Sequence, residues 1–250
     1  MNMDRQDLAI LFSGGSDSLA IYAMAMTGPS SGLPRPRTIH LLHMLNGMAR
    51  FPDFPARRLE ISRQILEAQI PEKEQIPETK FLSLDMGRLF QGLWLDRYEE
   101  IMPRFNGKNL VCVACKLGMH ARAIIYCISS YVPLLLAGYT AKQSFFPEQT
   151  NAFMDRVSAL SKRFGVTTVF PVYEEFDSEQ VSRHFLEDLG LPSTGGGEQK
   201  CLFCQTLSTA GEEDIAQYLD EMIPEVERYM EYRLASRIKD AAGVFPPGRP

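Results

Sequence analysis

Residues 8–20, LAILFSGGSDSLA, decide the fold expected for the whole chain. Their first five residues are apolar and predict a buried strand, and the apolar run that closes the stretch predicts a helix. The turn between them contains Gly14 and Gly15, which lack a Cβ and let the backbone approach a ligand closely. The N–H groups at the start of the next helix, with the helix dipole, favour an anion. The stretch therefore predicts a site for phosphate or pyrophosphate.

The residues predicted to bind nucleotide in this turn are Ser13, Gly14, Gly15, Ser16, Asp17 and Ser18. Asp17 places a carboxylate beside an anion site, which is unfavourable without a cation, so we expect either Mg²⁺ nearby or a capping role for Asp17. The turn lacks the lysine that ends a Walker A loop, and it is not G-x-G-x-x-G. Both the ordinary P-loop and the dinucleotide fingerprint are therefore excluded.

The rest of the chain alternates short apolar runs with longer amphipathic ones. This alternation predicts an α/β fold with a doubly wound, mostly parallel five-stranded sheet and a C-terminal helical extension. The further predicted strands are residues 38–44, 80–84, 132–137 and 166–172, and the predicted helices are residues 19–26, 55–70, 88–105, 116–129, 150–164 and 178–189. Such sheets bind ligands beyond the carboxyl ends of their strands, so the functional motifs should meet at that edge.

The pattern changes after Pro192. Residues 1–192 are predicted to form the nucleotide-binding domain, and residues 193–241 a glycine-rich loop, a cysteine pair and C-terminal helices packed on it. A helix from Glu212 toward Arg237 should be interrupted near Pro224. Residues 242–250 are predicted to be disordered.

The composition is that of an ordinary globular protein, with 45% hydrophobic and 23% charged residues. A net charge of -5 argues against a protein that grips nucleic acid by charge alone. The first residues lack the apolar region of a signal peptide, and the most apolar stretch, residues 124–138, is too short and too interrupted to span a bilayer. We expect a cytoplasmic protein, with no membrane partner, that forms a homodimer.

Four of the five cysteines fall in two C-x-x-C pairs, which are Cys112 with Cys115 and Cys201 with Cys204. Two such pairs can form one four-thiolate site for Zn²⁺, and they can equally hold an iron–sulfur cluster. A redox dithiol or buried small hydrophobic residues are the alternatives. Cys127 lies on an apolar helix and is predicted to belong to the core.

Three cations are candidate catalytic residues together with Asp17. Lys116, Arg122 and Lys142 could bind an anionic substrate or the phosphate of a transition state, although each could equally be a surface charge. His120 follows the first cysteine pair, and we interpret it as a polar residue on a helix face.

The string LFSGGSDSLA resembles the SGGxDS signature of the PP-loop ATP pyrophosphatase superfamily, whose fold is of the HUP (adenine nucleotide alpha-hydrolase-like) type. The resemblance implies that a substrate carbonyl oxygen attacks the α-phosphate of ATP, that pyrophosphate leaves, and that a nitrogen or sulfur nucleophile follows. It also implies an adenine pocket at the end of the second strand, around His43 and Met44. We count Gly138, after the fourth strand, with the nucleotide-binding residues.

Within that superfamily the order of the cysteine pairs resembles the tRNA 2-thiocytidine synthetases, which hold a [4Fe–4S] cluster and carry sulfur to an adenylated base. This chain departs from that group in having Ser16 where the group has lysine, and in residues 138–143, GYTAKQ, where the group has G-H-x-x-D-D. Residues 146–153, FPEQTNAF, instead resemble 7-cyano-7-deazaguanine synthase, an amide- and nitrile-forming enzyme with zinc-binding cysteines.

The expected function is therefore ATP-dependent adenylation followed by sulfur transfer, on a tRNA base or a small molecule, with a sulfur donor as partner. The first alternative is an amide or nitrile ligase that uses an ammonia donor and structural zinc. The second alternative is a nucleotide-binding regulatory protein without catalysis.

Overall fold

The computed structural model describes residues 6–28, 33, 36–71, 76–108, 110–193, 201–203 and 210–236. In this part of the chain strands and helices alternate as the sequence predicts. The strands are β1 (Leu8–Leu11), β2 (Thr38–Leu45), β3 (Glu78–Asp85), β4 (Leu134–Ala137) and β5 (Thr167–Val169). The helices are α1 (Ser16–Thr27), α2 (Phe54–Gln69), α3 (Gly87–Leu93), α4 (Tyr98–Arg104), α5 (Val111–Ser129), α6 (Asn151–Arg163), α7 (Glu179–Asp188) and α8 (Glu212–Ala235).

The five strands form one sheet in the order β3-β2-β1-β4-β5, and every neighbouring pair is parallel. In the register of the central strand, Leu8 of β1 lies beside Ile39 of β2 on one side and Leu134 of β4 on the other. The predicted fold class is therefore confirmed.

Side chains of successive strand residues point to opposite faces, so the sheet separates two hydrophobic cores. Ala9 and Leu11 pack into the core beneath α3, α5, α6 and α8. Leu8 and Ile10 pack into the core beneath α1, α2 and α7. Because both faces of β1 are covered, its sequence is a continuous apolar run instead of an alternating one.

Three predicted helices differ clearly from the structure in their limits, and the first of them, predicted from residue 19, begins at Ser16. The predicted helix 88–105 is divided, because Trp94, with φ −133° and ψ −58°, leaves the helical conformation after α3. The helix predicted to start at Lys116 begins at Val111, so Cys112 and Cys115 belong to the first turns of α5. The prediction that the first cysteine pair precedes this helix is therefore wrong.

The predicted interruption near Pro224 is also wrong, because α8 runs continuously from Glu212 to Ala235. A proline inside a helix removes one N–H donor and crowds the preceding turn. Here the neighbouring Ile223 and Val226 are buried in the core, and their packing offsets that cost. The Tyr218 hydroxyl group donates a hydrogen bond to the Leu93 carbonyl oxygen at 2.9 Å and fixes α8 on the sheet domain.

Helix α5 is long and apolar enough to cross a membrane, with a mean hydropathy of 1.5. However, 67% of its most apolar window is buried inside the protein, as is usual for a core helix. The glycine run 195–197, Cys204 and the tail 242–250 lie outside the described residues, so the domain limits predicted around them stay predictions.

The order of the strands also positions a ligand site. The chain runs outward from β1 through β2 to β3 and then returns to place β4 on the other side of β1. This reversal opens a crevice beyond the carboxyl ends of β1 and β4, the usual ligand position in such sheets. The predicted phosphate turn follows β1, and Gly138 follows β4.

Candidate functional site

The backbone of the phosphate turn has a shape that glycine alone adopts readily. Gly14 has φ +73°, and a Cβ placed on it would lie 2.8 Å from the Pro55 Cα and 3.3 Å from the Phe54 ring. The first turn of α2 is therefore packed directly against the glycine. Both the positive φ and this contact exclude a side chain at residue 14 without a shift of the backbone.

Gly138 brings the end of β4 equally close to the start of α1. A Cβ on Gly138 would lie 2.9 Å from the Ser18 backbone nitrogen and 3.0 Å from the Asp17 carbonyl carbon. The first turn of α1 is thus held between the ends of β1 and β4. The anion site predicted at the N–H groups of this turn stays a prediction.

The serine hydroxyl groups of the turn have partners within the protein. Ser18 donates to the Gly15 carbonyl oxygen at 3.0 Å, and the hydroxyl groups of Ser13 and Ser18 are 3.3 Å apart. The Gly15 N–H donates to Ser13 Oγ at 3.2 Å. Ser13 and Ser18 therefore stabilise the shape of the turn, and Ser16 is the serine whose hydroxyl group points out of it, toward the Ser193 carbonyl oxygen at 3.2 Å.

Lys142 provides the cation that Asp17 requires. Its Nζ lies 3.1 Å from Asp17 Oδ1 and 2.9 Å from the Ser182 hydroxyl group of α7. The side chains of Lys142 and Asp17 are 10% and 16% exposed, so solvent screens this ion pair less than a surface pair. Residue 142 thus reaches the phosphate turn across 125 positions of sequence. The expected Mg²⁺ stays a prediction.

The other two candidate cations lie elsewhere. Lys116 Nζ is 5.7 Å from the centre of the Tyr139 ring. Burial raises the pKa of the nearby Glu148, and the charge of Lys116 partly offsets that rise. Arg122 donates to the Asp85 carbonyl oxygen at 3.3 Å, at the end of β3. The three predicted cations therefore occupy three separate places along the carboxyl edge of the sheet.

His43 and Met44, predicted to border an adenine pocket, are both buried at the end of β2. The His43 ring stacks on Phe81 with ring centres 6.0 Å apart, and burial lowers the pKa of His43, so the ring is neutral at pH 7. Met44 packs into the core on the opposite face. The assignment of both residues to an adenine pocket stays a prediction.

His120 lies on a helix face, as we expected, but that face is buried. It is fully buried, and its Nε2 shares a hydrogen bond of 2.9 Å with the Tyr139 hydroxyl group. Burial, with a smaller effect of the Lys116 charge, lowers the pKa of His120 to about 3. The ring is therefore a neutral member of an aromatic cluster that includes Phe153 and Phe170.

Cys112 and Cys115 lie in the first turns of α5, on neighbouring positions of one helix face. Asn46, which follows β2, donates from Nδ2 to Cys115 Sγ at 3.3 Å, and its Oδ1 accepts from the Met48 N–H at 2.9 Å. The cysteine pair is therefore anchored to the carboxyl edge of the sheet, the edge that also carries the phosphate turn.

Cys201 is attached to the same segment after β2. It forms an antiparallel bridge with Ala49, and the next residue, Leu202, donates from its N–H to the Met48 carbonyl oxygen at 2.8 Å. Cys201 also lies close enough for its charge to raise the pKa of Cys112. Both Cys201 and Cys115 therefore contact the segment that follows β2.

The thiols of the first pair are neutral in this structure. Burial raises the pKa of Cys112 to about 12, and the charges of Glu148, Cys115 and Cys201 act in the same direction. Burial likewise raises the pKa of Cys115. A metal ion would have to displace these protons, because thiolates are the ligands.

The four-cysteine site itself stays a prediction. Among the described residues, which include Cys201 but not Cys204, no three cysteine, histidine or carboxylate side chains are close enough to share a metal ion. Cys127 is buried in the core, in agreement with its interpretation as a packing residue.

Three residues at this edge gave no signal in the sequence. Asn46 contacts a cysteine, Ser182 contacts Lys142, and Arg58 contacts the chain after α7. Each contact joins positions at least 40 residues apart, and none of the three belongs to a motif with a defined spacing.

No family model matches the sequence, and no curated protein matches it either. Two similar solved structures are the U34-tRNA thiolase NcsA from Methanococcus maripaludis with its [4Fe-4S] cluster and the NAD+ synthetase from Burkholderia pseudomallei. The thiolase is 12% identical, with 95% of this chain and 72% of its own covered, at a TM-score of 0.48. The synthetase is 15% identical, with 94% of this chain and 83% of its own covered, and its TM-score is also 0.48. Likenesses of this size carry no argument about the activity of this chain.

Proposed function

We propose that the chain is an ATP pyrophosphatase that transfers AMP to a carbonyl oxygen of its substrate. The observation that supports this most is the close contact of Gly14 and Gly138 with their neighbours, which packs the phosphate turn against α2 and the end of β4. A backbone of this shape suits the pyrophosphate end of ATP, because several N–H groups and a helix N-terminus converge on one anion.

The proposed reaction forms one bond and breaks one bond at the α-phosphorus atom. A substrate carbonyl oxygen forms a bond to this atom, and the bond from it to the bridging oxygen of the β-phosphate breaks, so that pyrophosphate leaves. The turn and Lys142 would stabilise the charge that develops on the leaving group. Mg²⁺ would accompany the nucleotide as its counter-ion.

We further propose that hydrosulfide from a sulfur donor forms a bond to the adenylated carbon, and that the bond from this carbon to the AMP oxygen breaks, so that AMP is the second product. Cys201 bridges Ala49 in the segment after β2, and Asn46 of the same segment contacts Cys115; these contacts support the proposal, because a shared iron–sulfur cluster needs cysteines from both pairs. Such a cluster would hold the donor's hydrosulfide at the edge of the sheet that carries the phosphate turn. A tRNA base or a small heterocyclic carbonyl compound would be the acceptor.

Substitution of Lys142 by alanine should lower the rate of AMP formation about 100-fold, the usual effect of removing one group that stabilises a leaving group's charge. The variant also leaves Asp17 without this ion pair, so the affinity for ATP should fall as well. The measurement is release of AMP and pyrophosphate from Mg-ATP, with total tRNA in one series and small heterocyclic carbonyl compounds in another.

Lys162→Ala is the matched control, since Lys162 is an exposed lysine of α6. It should keep the wild-type rate. Formation of ADP and phosphate by the wild-type protein would contradict the proposed reaction. Tight binding of ATP with no turnover in any series would instead support the regulatory alternative.

A further inference from the structure

Arg58 lies beside the phosphate turn although no motif contains it. It belongs to α2, whose Pro55 packs on Gly14, and it is one turn further along that helix. The side chain is 5% exposed, and its guanidinium carbon lies 5.8 Å from the centre of the Phe54 ring. A guanidinium group stays protonated at any relevant pH, so α2 carries a permanent positive charge buried next to the turn.

Arg58 and Ser16 hold two successive carbonyl groups of one short segment. Arg58 Nη2 donates to the Pro192 carbonyl oxygen, and the Ser16 hydroxyl group donates to the Ser193 carbonyl oxygen at 3.2 Å. The two donors come from opposite sides of the turn, one from α2 and one from the start of α1. Both donors therefore hold the same dipeptide, Pro192–Ser193, next to the phosphate turn.

We propose that Arg58 and Ser16 form a second subsite for phosphate oxygens, next to the backbone N–H groups of the turn. In the nucleotide-free protein the carbonyl oxygens of Pro192 and Ser193 occupy it, and the pyrophosphate end of ATP exchanges with them. This inference rests on the proposed function, since it assigns two further contacts to the same nucleotide. A guanidinium group suits this role because it can bind two oxygens of one phosphate at once.

The test compares Arg58→Ala with Arg57→Ala, which removes the same type of side chain from an exposed position one residue earlier. Calorimetric titration with pyrophosphate and, separately, with AMP gives the two dissociation constants. Arg58→Ala should weaken pyrophosphate binding about 10- to 100-fold, as expected for a hydrogen bond to a charged group, and leave AMP binding within about twofold. Ser16→Ala should weaken pyrophosphate binding by less than about tenfold. Arg57→Ala should match the wild type for both ligands.

Wild-type affinity of Arg58→Ala for pyrophosphate would overturn the subsite and leave the proposed function intact. An equal loss of affinity for AMP and pyrophosphate would also overturn it, because that result indicates general damage to the fold. If Arg58→Ala does not fold, Arg58→Gln is judged by the same comparison. Absence of pyrophosphate binding by the wild-type protein would overturn the proposed function itself.

Discussion

Gly14→Ala should abolish measurable ATP binding while the rest of the sheet domain stays folded. The new Cβ would lie 2.8 Å from the Pro55 Cα, a distance between two backbone-bound carbons that cannot relax by a side-chain rotation. Either the turn or the start of α2 must move, and the N–H groups of the turn can then no longer donate to the same phosphate group. We expect the affinities for ATP and pyrophosphate to fall by more than about 100-fold, since several charge-assisted hydrogen bonds weaken together.

Gly165→Ala separates this collision from simple backbone strain. Gly165 has φ +75°, nearly the value of Gly14, but a Cβ there would meet no atom within 4 Å. Both substitutions place an alanine in the left-handed conformation, which lowers the free energy of unfolding by roughly 1–2 kcal/mol. Gly165→Ala should therefore be destabilised by that amount and bind ATP like the wild type. The measurements are calorimetric titration with Mg-ATP and urea unfolding of the three proteins, and wild-type affinity in Gly14→Ala would contradict the proposed role of the turn.

The sheet and the phosphate turn could be predicted because their signals are local. Each strand is a short apolar run, and the turn combines two glycines with a strand before it and a helix after it. The position of the turn at the carboxyl edge follows from the rule for parallel sheets. The strand order, in which β4 returns to the other side of β1 after β3, was not predicted. The predictions of the sheet and of the turn do not depend on which residues far apart in the sequence are in contact.

The limits of some helices could not be predicted because they depend on tertiary packing. Val111 to Cys115 carry no capping signal, and Leu110, the residue before α5, makes no side-chain cap. Their helical conformation follows from burial of Val111, Val113 and Ala114 in the core. Pro224 is the opposite case, since a strong local signal to interrupt a helix is overridden by the buried residues on each side of it.

The partners of the charged residues were the least predictable part of the site. The ion pair of Lys142 with Asp17 and the contact of Arg58 with Pro192 join residues 125 and 134 positions apart. Spacing along the chain says nothing about such pairs. The sequence predicted either Mg²⁺ near Asp17 or a capping role for it, and the ion pair with Lys142 depends on where the loop after β4 folds.

The double variant Cys112→Ala, Cys115→Ala should lose essentially all bound metal when purified without oxygen. If the proposed cluster is present, the wild-type protein is brown and absorbs at roughly 400 nm, and the variant is colourless. ATP affinity should stay within about twofold of the wild type, because the phosphate turn uses backbone groups of another element. Iron, sulfide and zinc analysis, with calorimetric titration of Mg-ATP, gives both results.

Cys127→Ala is the control within the same helix, because Cys127 is buried in the core and should keep the full metal content. Cys201→Ala tests whether the second pair contributes, and it should also lose the metal. Metal retained by Cys201→Ala would contradict a site shared between the two pairs.

The identity of the metal then decides the nucleophile: iron with sulfide supports sulfur transfer, whereas stoichiometric zinc in a colourless protein would overturn it in favour of the amide or nitrile ligase. Since thiolates bind metal only after losing their protons, the raised pKa of Cys112 further implies that reloading the metal-free protein releases protons to the buffer.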